Sequence, residues 1–265
     1  MAEPAEEVAQ VAAPEPEPKP DPIPFAGAKQ VTVAELLAAI ETELPAIAAS
    51  PAVRRDYEAL LADQSKLEDS EELYQDYVRI KVAFEATRDG GLWGLEWDIT
   101  NQEPRSDRIW EQWLGVESEA LTAMAFNGAQ GQPPTTAIAE CDELSALFAF
   151  ITQRIGLSRA SDVGLFWPGG NHTVAVWTID ARSEHPTRIV VPTTQIFLDE
   201  DASLGTHGFN PWKQRKIYDY RRQDAEAELV LPGPLAGAFV QAIRKHGGRS
   251  QAELLTLRAE RLSSQ

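Results

Sequence analysis

Between Thr32 and Thr87 the apolar residues recur at helical spacing, as Leu36, Leu37, Ile40, Leu44 and Ile47, then Tyr57, Leu60 and Leu61, then Leu73, Tyr77, Ile80 and Phe84. The pattern predicts three helices. Pro45 is expected to kink or end the first, Pro51 to lie near the start of the second, and Ser70, followed by Glu71 and Glu72, to cap the third. Asp89, Gly90 and Gly91 break this periodicity. Val116 to Phe126 predicts another helical stretch, closed by the punctuation of Gly128, Gly131, Pro133 and Pro134. After Thr135 or Thr136, either able to cap a helix, AIAECDELSALFAFITQRIG puts Cys141, Leu144, Phe148, Ile151 and Ile155 on one face and stops at Gly156.

The period then shortens to two. Val163 to Trp167 reads as a strand, Pro168, Gly169 and Gly170 as a turn, and His172 to Ile179 as a second strand. RIVVPTTQIFL predicts a third, with Pro192 marking an edge or a bulge. PLAGAFVQAIRKHGG is an amphipathic helix with Gly247 as its stop, and Ser250 with Glu253 forms a capping-box signature for a last helix through Leu254, Leu257 and Leu262.

These elements imply an α+β protein in four stretches: an acidic, Pro-rich leader over 1–30, a helical region over 31–88, an α+β core over 89–231, and C-terminal helices over 232–265. The chain has 265 residues, 43% of them hydrophobic, enough to bury a sizeable core. The leader holds seven of the 18 prolines within its first 24 residues and reads as a disordered or polyproline-II spacer. Such leaders often follow a removed signal peptide or a lipid anchor, which favours an extracytoplasmic address, periplasmic or secreted, over a cytoplasmic one. No stretch approaches the ~20 apolar residues that span a bilayer. The formal net charge of −17 argues against nucleic acid and anionic membranes as partners, and for a protein or peptide.

Candidate chemistry centres on Cys141, the one cysteine of the chain, which excludes an internal disulfide and a multi-cysteine zinc site. Two roles are open to it. It can fill a core position as a small apolar residue, or use the amides of a helix's first turn to favour a thiolate. Glu140, Asp142 and Glu143 oppose the second role, so an imidazolium would be needed beside it. His172 is the candidate, although Val174 and Val176 share its face and a hydrogen-bonded core histidine is the alternative.

Other signals are weaker. Four of the seven tryptophans, Trp93, Trp97, Trp110 and Trp113, either pack in the core or line a groove, with packing favoured. LDED, starting at Leu198, lacks the ligand spacing of a calcium loop, and His207 lies in a Gly-rich loop. Lys213, Arg215, Lys216, Arg221 and Arg222 form the main basic patch, suited to a carboxylate-bearing substrate or to internal pairing. Nothing in the chain calls for a cofactor or a metal.

The order of ECDELSALFAFITQRIGL, GGNHTVAVW and RIVVPTTQIF resembles the transglutaminase-like superfamily, within the papain-like cysteine-protease architecture. The resemblance covers about Thr135 to Phe197. It implies a Cys-bearing helix packed on an antiparallel sheet, here with N-terminal and C-terminal helical additions. It further implies a thiol-dependent amide hydrolase or acyl transferase acting on protein or peptidoglycan peptides, with Cys141 as nucleophile and His172 as proton shuttle. The chain departs from the family at the third residue, where Val191 stands in place of an acid. Thr193 and Gln195, on the face of Val191, are the candidates to orient His172 instead. Loss of the acid also fits a catalytically inactive binding or scaffold member of a bacterial envelope assembly.

Overall fold

The computed structural model describes residues 24–100, 107–116, 135–169, 172–194 and 229–262. A short strand β1 (Gln30–Thr32) leads into helix α1 (Val33–Ala48). The Thr32 hydroxyl accepts the Glu35 N–H while the Glu35 carboxylate accepts the Thr32 N–H, a reciprocal cap. Pro45 does not end this helix, which runs on to Ala48 with the Ala49 N–H bonded to the Pro45 carbonyl. Leu44 and Ile47 are both buried, so packing of the last turn outweighs the single donor that proline removes.

Helix α2 (Pro51–Asp63) starts at Ser50, whose hydroxyl accepts the Ala52 N–H, with Pro51 in the first turn. Helix α3 (Glu71–Thr87) is capped by Ser70, which accepts the Leu73 N–H. The next elements, β2 (Leu95–Trp97) and α4 (Arg108–Leu114), carry Trp97, Trp110 and Trp113, and Trp93 lies in the turn just before β2. Trp93, Trp110 and Trp113 are buried, and Trp93 stacks on Phe239 with ring centroids 4.7 Å apart. They form core, as area burial of such rings favours.

Ala137 to Ala139 forms a strand, β3, parallel to β2, and not the opening of a helix. Thr135 and Thr136 therefore cap nothing. The Thr136 hydroxyl donates to the Trp93 carbonyl and accepts the Trp113 indole N–H, so tertiary partners claim it. Helix α5 (Cys141–Arg154) follows immediately, and its stripe Cys141, Leu144, Phe148, Ile151 and Ile155 is buried. Gly156, at φ +88°, ends it in the left-handed conformation that glycine accepts.

Strands β4 (Ser161–Gly169), β5 (His172–Ile179) and β6 (Thr187–Val191) form an antiparallel meander in that order. β4 starts earlier than the apolar run suggests and continues to Gly169, with a register shift between Phe166 and Gly169. β6 stops at Val191, because Pro192 has no N–H to continue a ladder. Ala175, Trp177, Ile179 and Val191 join the main core with α5, whereas Phe166, Val174 and Val176 form a small separate cluster. The alternation assigns these two sets to opposite faces of the sheet.

The C-terminal part returns to the beginning of the chain. β7 (Val230–Pro232) pairs antiparallel with β1, then α6 (Gly233–His246) and α7 (Gln251–Leu262) follow. Ser250 and Glu253 make the expected reciprocal cap of α7. The architecture is α+β, with one main core cluster running from Val31 to Ile243. Among the described residues no single helix is long and apolar enough to cross a membrane. The expected helical stretch after Val116, LDED, His207, the basic cluster from Lys213 to Arg222 and most of the leader lie outside the described residues.

Candidate functional site

Cys141 is the first residue of α5, placed there by the β3 strand that precedes it and by acidic caps around it. The Glu143 carboxylate accepts the Glu140 N–H at 2.9 Å, and the Glu140 carboxylate accepts the Thr100 N–H and hydroxyl at 2.8 and 2.6 Å. Arg108 on α4 lies 3.4 Å from buried Glu143. Two of the three carboxylates flanking the thiol are thus committed to holding the helix start in place. The third, Asp142, is buried, and burial pushes its carboxyl up to about 6, reinforced by Glu143 and Glu140 and opposed by main-chain amides of the first turn.

The thiol is also buried, at 8% exposure. Burial raises its pKa, with Asp142 and Glu140 adding to the rise, whereas hydrogen bonding to the main chain at Thr173 lowers it. The Thr173 contact brings the start of β5 against the start of α5. His172 is the residue before Thr173 and pairs in register with Gly169, and only its main chain is described.

Ser145, one turn beyond Cys141, ties the same elements together. Its hydroxyl donates to the Thr173 carbonyl at 3.2 Å and lies 2.8 Å from the Thr193 hydroxyl. Thr193 is buried at 2% exposure just past β6, so its hydroxyl is used in joining α5 to the sheet. Val191 sits opposite Ala175 and packs in the main core, with no carboxylate in its place. Gln195 lies outside the described residues. The Thr194 hydroxyl, next to Thr193, is buried without a hydrogen-bond partner.

The structure therefore brings Cys141 and Thr193 into one hydrogen-bonded region, joined through Ser145 and Thr173. Ser145 and Thr173 are the members that the sequence pattern does not single out, whereas Asp142 is expected from the sequence to oppose the thiolate. A signal existed for Ser145: it stands four residues after Cys141, on the buried side of an otherwise apolar stripe. Among the described residues no group of three His, Cys, Asp or Glu side chains is placed to hold a metal ion. A cavity of about 500 Å³, lined by Asp69, Asp76, Ser158, Ser161 and Asp180 among others, lies at the far end of β5 and does not include Cys141. No family model, curated protein or solved structure matches the chain.

Proposed function

We propose that this chain is a thiol-dependent amide hydrolase or acyl transferase with a transglutaminase-like core, acting on protein or peptidoglycan peptides. One observation supports it: the main chain of Thr173 reaches the Cys141 thiol, which sets the start of β5 against the start of α5. The sequence alternation that groups His172 with Val174 and Val176, on the face away from α5, counts instead for the second reading below. Cys141 is the nucleophile and His172 the base. The Cys141 sulfur forms a bond to the substrate carbonyl carbon, His172 takes the thiol proton and returns it to the leaving amine, and the amide C–N bond breaks. Water then releases the acyl group, or a second amine receives it. Main-chain hydrogen bonds from Thr173 and Asp142 favour the thiolate, but burial and the nearby carboxylates outweigh them and hold the thiol above its ordinary range, so the proton must pass to a base as the sulfur attacks.

A second reading, a catalytically silent binding or scaffold protein of the same fold in a bacterial envelope assembly, is favoured by the burial of Val191 and by the engagement of Thr193 with Ser145. Both features remove a group that could orient His172. Iodoacetamide labelling of the native protein at neutral pH separates the two. The enzyme reading expects Cys141 to label, at a rate that falls several-fold in His172→Ala. A thiol inert until denaturation, or a rate indifferent to His172, sinks it. The scaffold reading expects a partner whose binding survives Cys141→Ser.

A further inference from the structure

Asp89 stands at the break after α3 and makes three contacts, one with nearby β2 and two with distant parts of the chain. Its N–H donates to the Thr193 carbonyl at 2.8 Å. One of its carboxylate oxygens accepts the Trp97 N–H at 3.0 Å. The other pairs with Arg258 on α7, whose side chain is only 8% exposed.

Each of the first two contacts leads to a different side of Cys141. Trp97 ends β2, where it pairs with Ala139 in β3, and the Asp98 N–H donates to the Ala139 carbonyl at 3.2 Å. Ala139 lies two residues before Cys141. Thr193 is joined to Ser145, one turn after Cys141. Asp89 thus holds β2, the neighbour of the strand that delivers the cysteine, and the segment just past β6 that is tied to its helix.

The third contact sets the carboxylate itself. Gly90 is at φ +63°, and a Cβ there would stand 2.5 Å from Arg258 Nε, so the chain leaves room for this guanidinium to lie across the turn. Gly91 is equally confined, since a Cβ would meet the Glu85 carbonyl at 2.5 Å. The Asp-Gly-Gly break is a joint that the C-terminal helix locks. A buried guanidinium beside a carboxylate restricts its rotation more than a neutral partner does.

We propose that Asp89 and Arg258 are positioning residues for the Cys141 site: the C-terminal helix α7 braces, through this pair, the two segments that flank the thiol and thereby sets its access to a substrate carbonyl. This brace rests on Cys141 being the working thiol, but its test does not depend on His172. The measurement is the iodoacetamide labelling rate of native Cys141 at neutral pH in the full-length chain, in Arg258→Ala, Arg258→Lys, Asp89→Asn and, as a comparison, Arg244→Ala. Arg244 pairs with Glu43 at 2.8 Å, another ion pair made by a C-terminal helix and not part of this relay.

Arg258→Ala is expected to change the rate at least tenfold relative to Arg244→Ala, with both measured well below their urea midpoints. Arg258→Lys, which keeps a cation for Asp89, is expected to return it to within about threefold of the original. Should Arg258→Ala fail to fold, Asp89→Asn keeps the main-chain N–H and a side-chain oxygen while losing the charge, and is expected to change the rate at least threefold. Equal rates in the Arg244 and Arg258 variants, or no recovery with lysine, overturn the brace. A rate indifferent to His172→Ala but sensitive to Arg258→Ala removes the enzyme reading, and with it the access to a substrate carbonyl, while Asp89 and Arg258 still set the exposure of the thiol.

Discussion

The hydroxyl of Ser145 on α5 lies 2.8 Å from the hydroxyl of Thr193 beyond β6, and both side chains are buried. This pair, with the Thr173 carbonyl as a further acceptor, joins the cysteine-bearing helix to two strands of the sheet. Ser145→Ala, which strands the buried Thr193 hydroxyl, is expected to cost about 1–3 kcal/mol, and Thr193→Val about 1 kcal/mol, because the Ser145 hydroxyl keeps the Thr173 carbonyl as its acceptor. The double variant should cost less than the two single losses together. Urea unfolding of the four proteins gives the coupling, and full additivity would show that the hydroxyls do not depend on one another.

Asp142 has a pH signature of definite sign. Its carboxyl titrates at about 6 in the folded protein against 3.8 ordinarily, so between these values the folded state binds more protons than the unfolded one. Its contribution favours the fold at acidic pH and is lost as the pH rises through 6, by an amount of order 3 kcal/mol. Asp142→Asn is therefore expected to stabilise the protein at pH 8 and to change it little near pH 4. The same change removes a charge that raises the Cys141 thiol, so labelling of Cys141 should quicken. A variant less stable at pH 8 than the parent would contradict this assignment.

His246 gives the opposite slope. Near the end of α6 it is buried, with its Nδ1 unpartnered, and burial together with Arg249 and Lys245 lowers its pKa to about 4. Between pH 6.5 and 4 the unfolded state binds the extra proton, so stability falls as the pH falls through this window, by about 3 kcal/mol in full. Replacement by an apolar ring, His246→Phe, should flatten that part of the curve. The urea midpoint measured from pH 7 to pH 4 in both proteins is the check.

Asp76 anchors α3 to the sheet. Its carboxylate accepts the Ser158 N–H at 2.8 Å and the Ser158 and Ser161 hydroxyls at 2.6 Å each, while Ser161 accepts the Trp177 indole N–H at 3.0 Å. Asp76→Ala leaves three part-buried donors of Ser158 and Ser161 without their acceptor and is expected to cost about 2 kcal/mol. Ser161→Ala should cost about 1–2 kcal/mol and shift Trp177 fluorescence, since the indole loses its acceptor. A loss under about 1 kcal/mol in Asp76→Ala would mean that water replaces the carboxylate.

Much of the local structure was legible along the chain. The start of α2 near Pro51, the caps at Ser70 and Ser250, the buried stripe from Cys141 to Ile155, and the bounds of β5 follow from propensity and period, which act over a few residues. Pattern misled where partners are remote. Three residues, Ala137 to Ala139, are strand because β2 lies beside them, and Thr136 is no cap because Trp93 and Trp113 take its hydroxyl.

By itself the sequence determined that a lone thiol lies on the buried stripe of a helix, that strands follow it, and that no acid stands at Val191. Only the tertiary structure decided which groups meet there: Ser145 with Thr193, Thr173 with the thiol, and Asp89 between Arg258, Trp97 and Thr193. The reason is physical. Period and capping are short-range properties written in neighbouring residues, whereas a hydrogen bond across 48 or a charge pair across 169 positions exists only once the core has brought distant segments together.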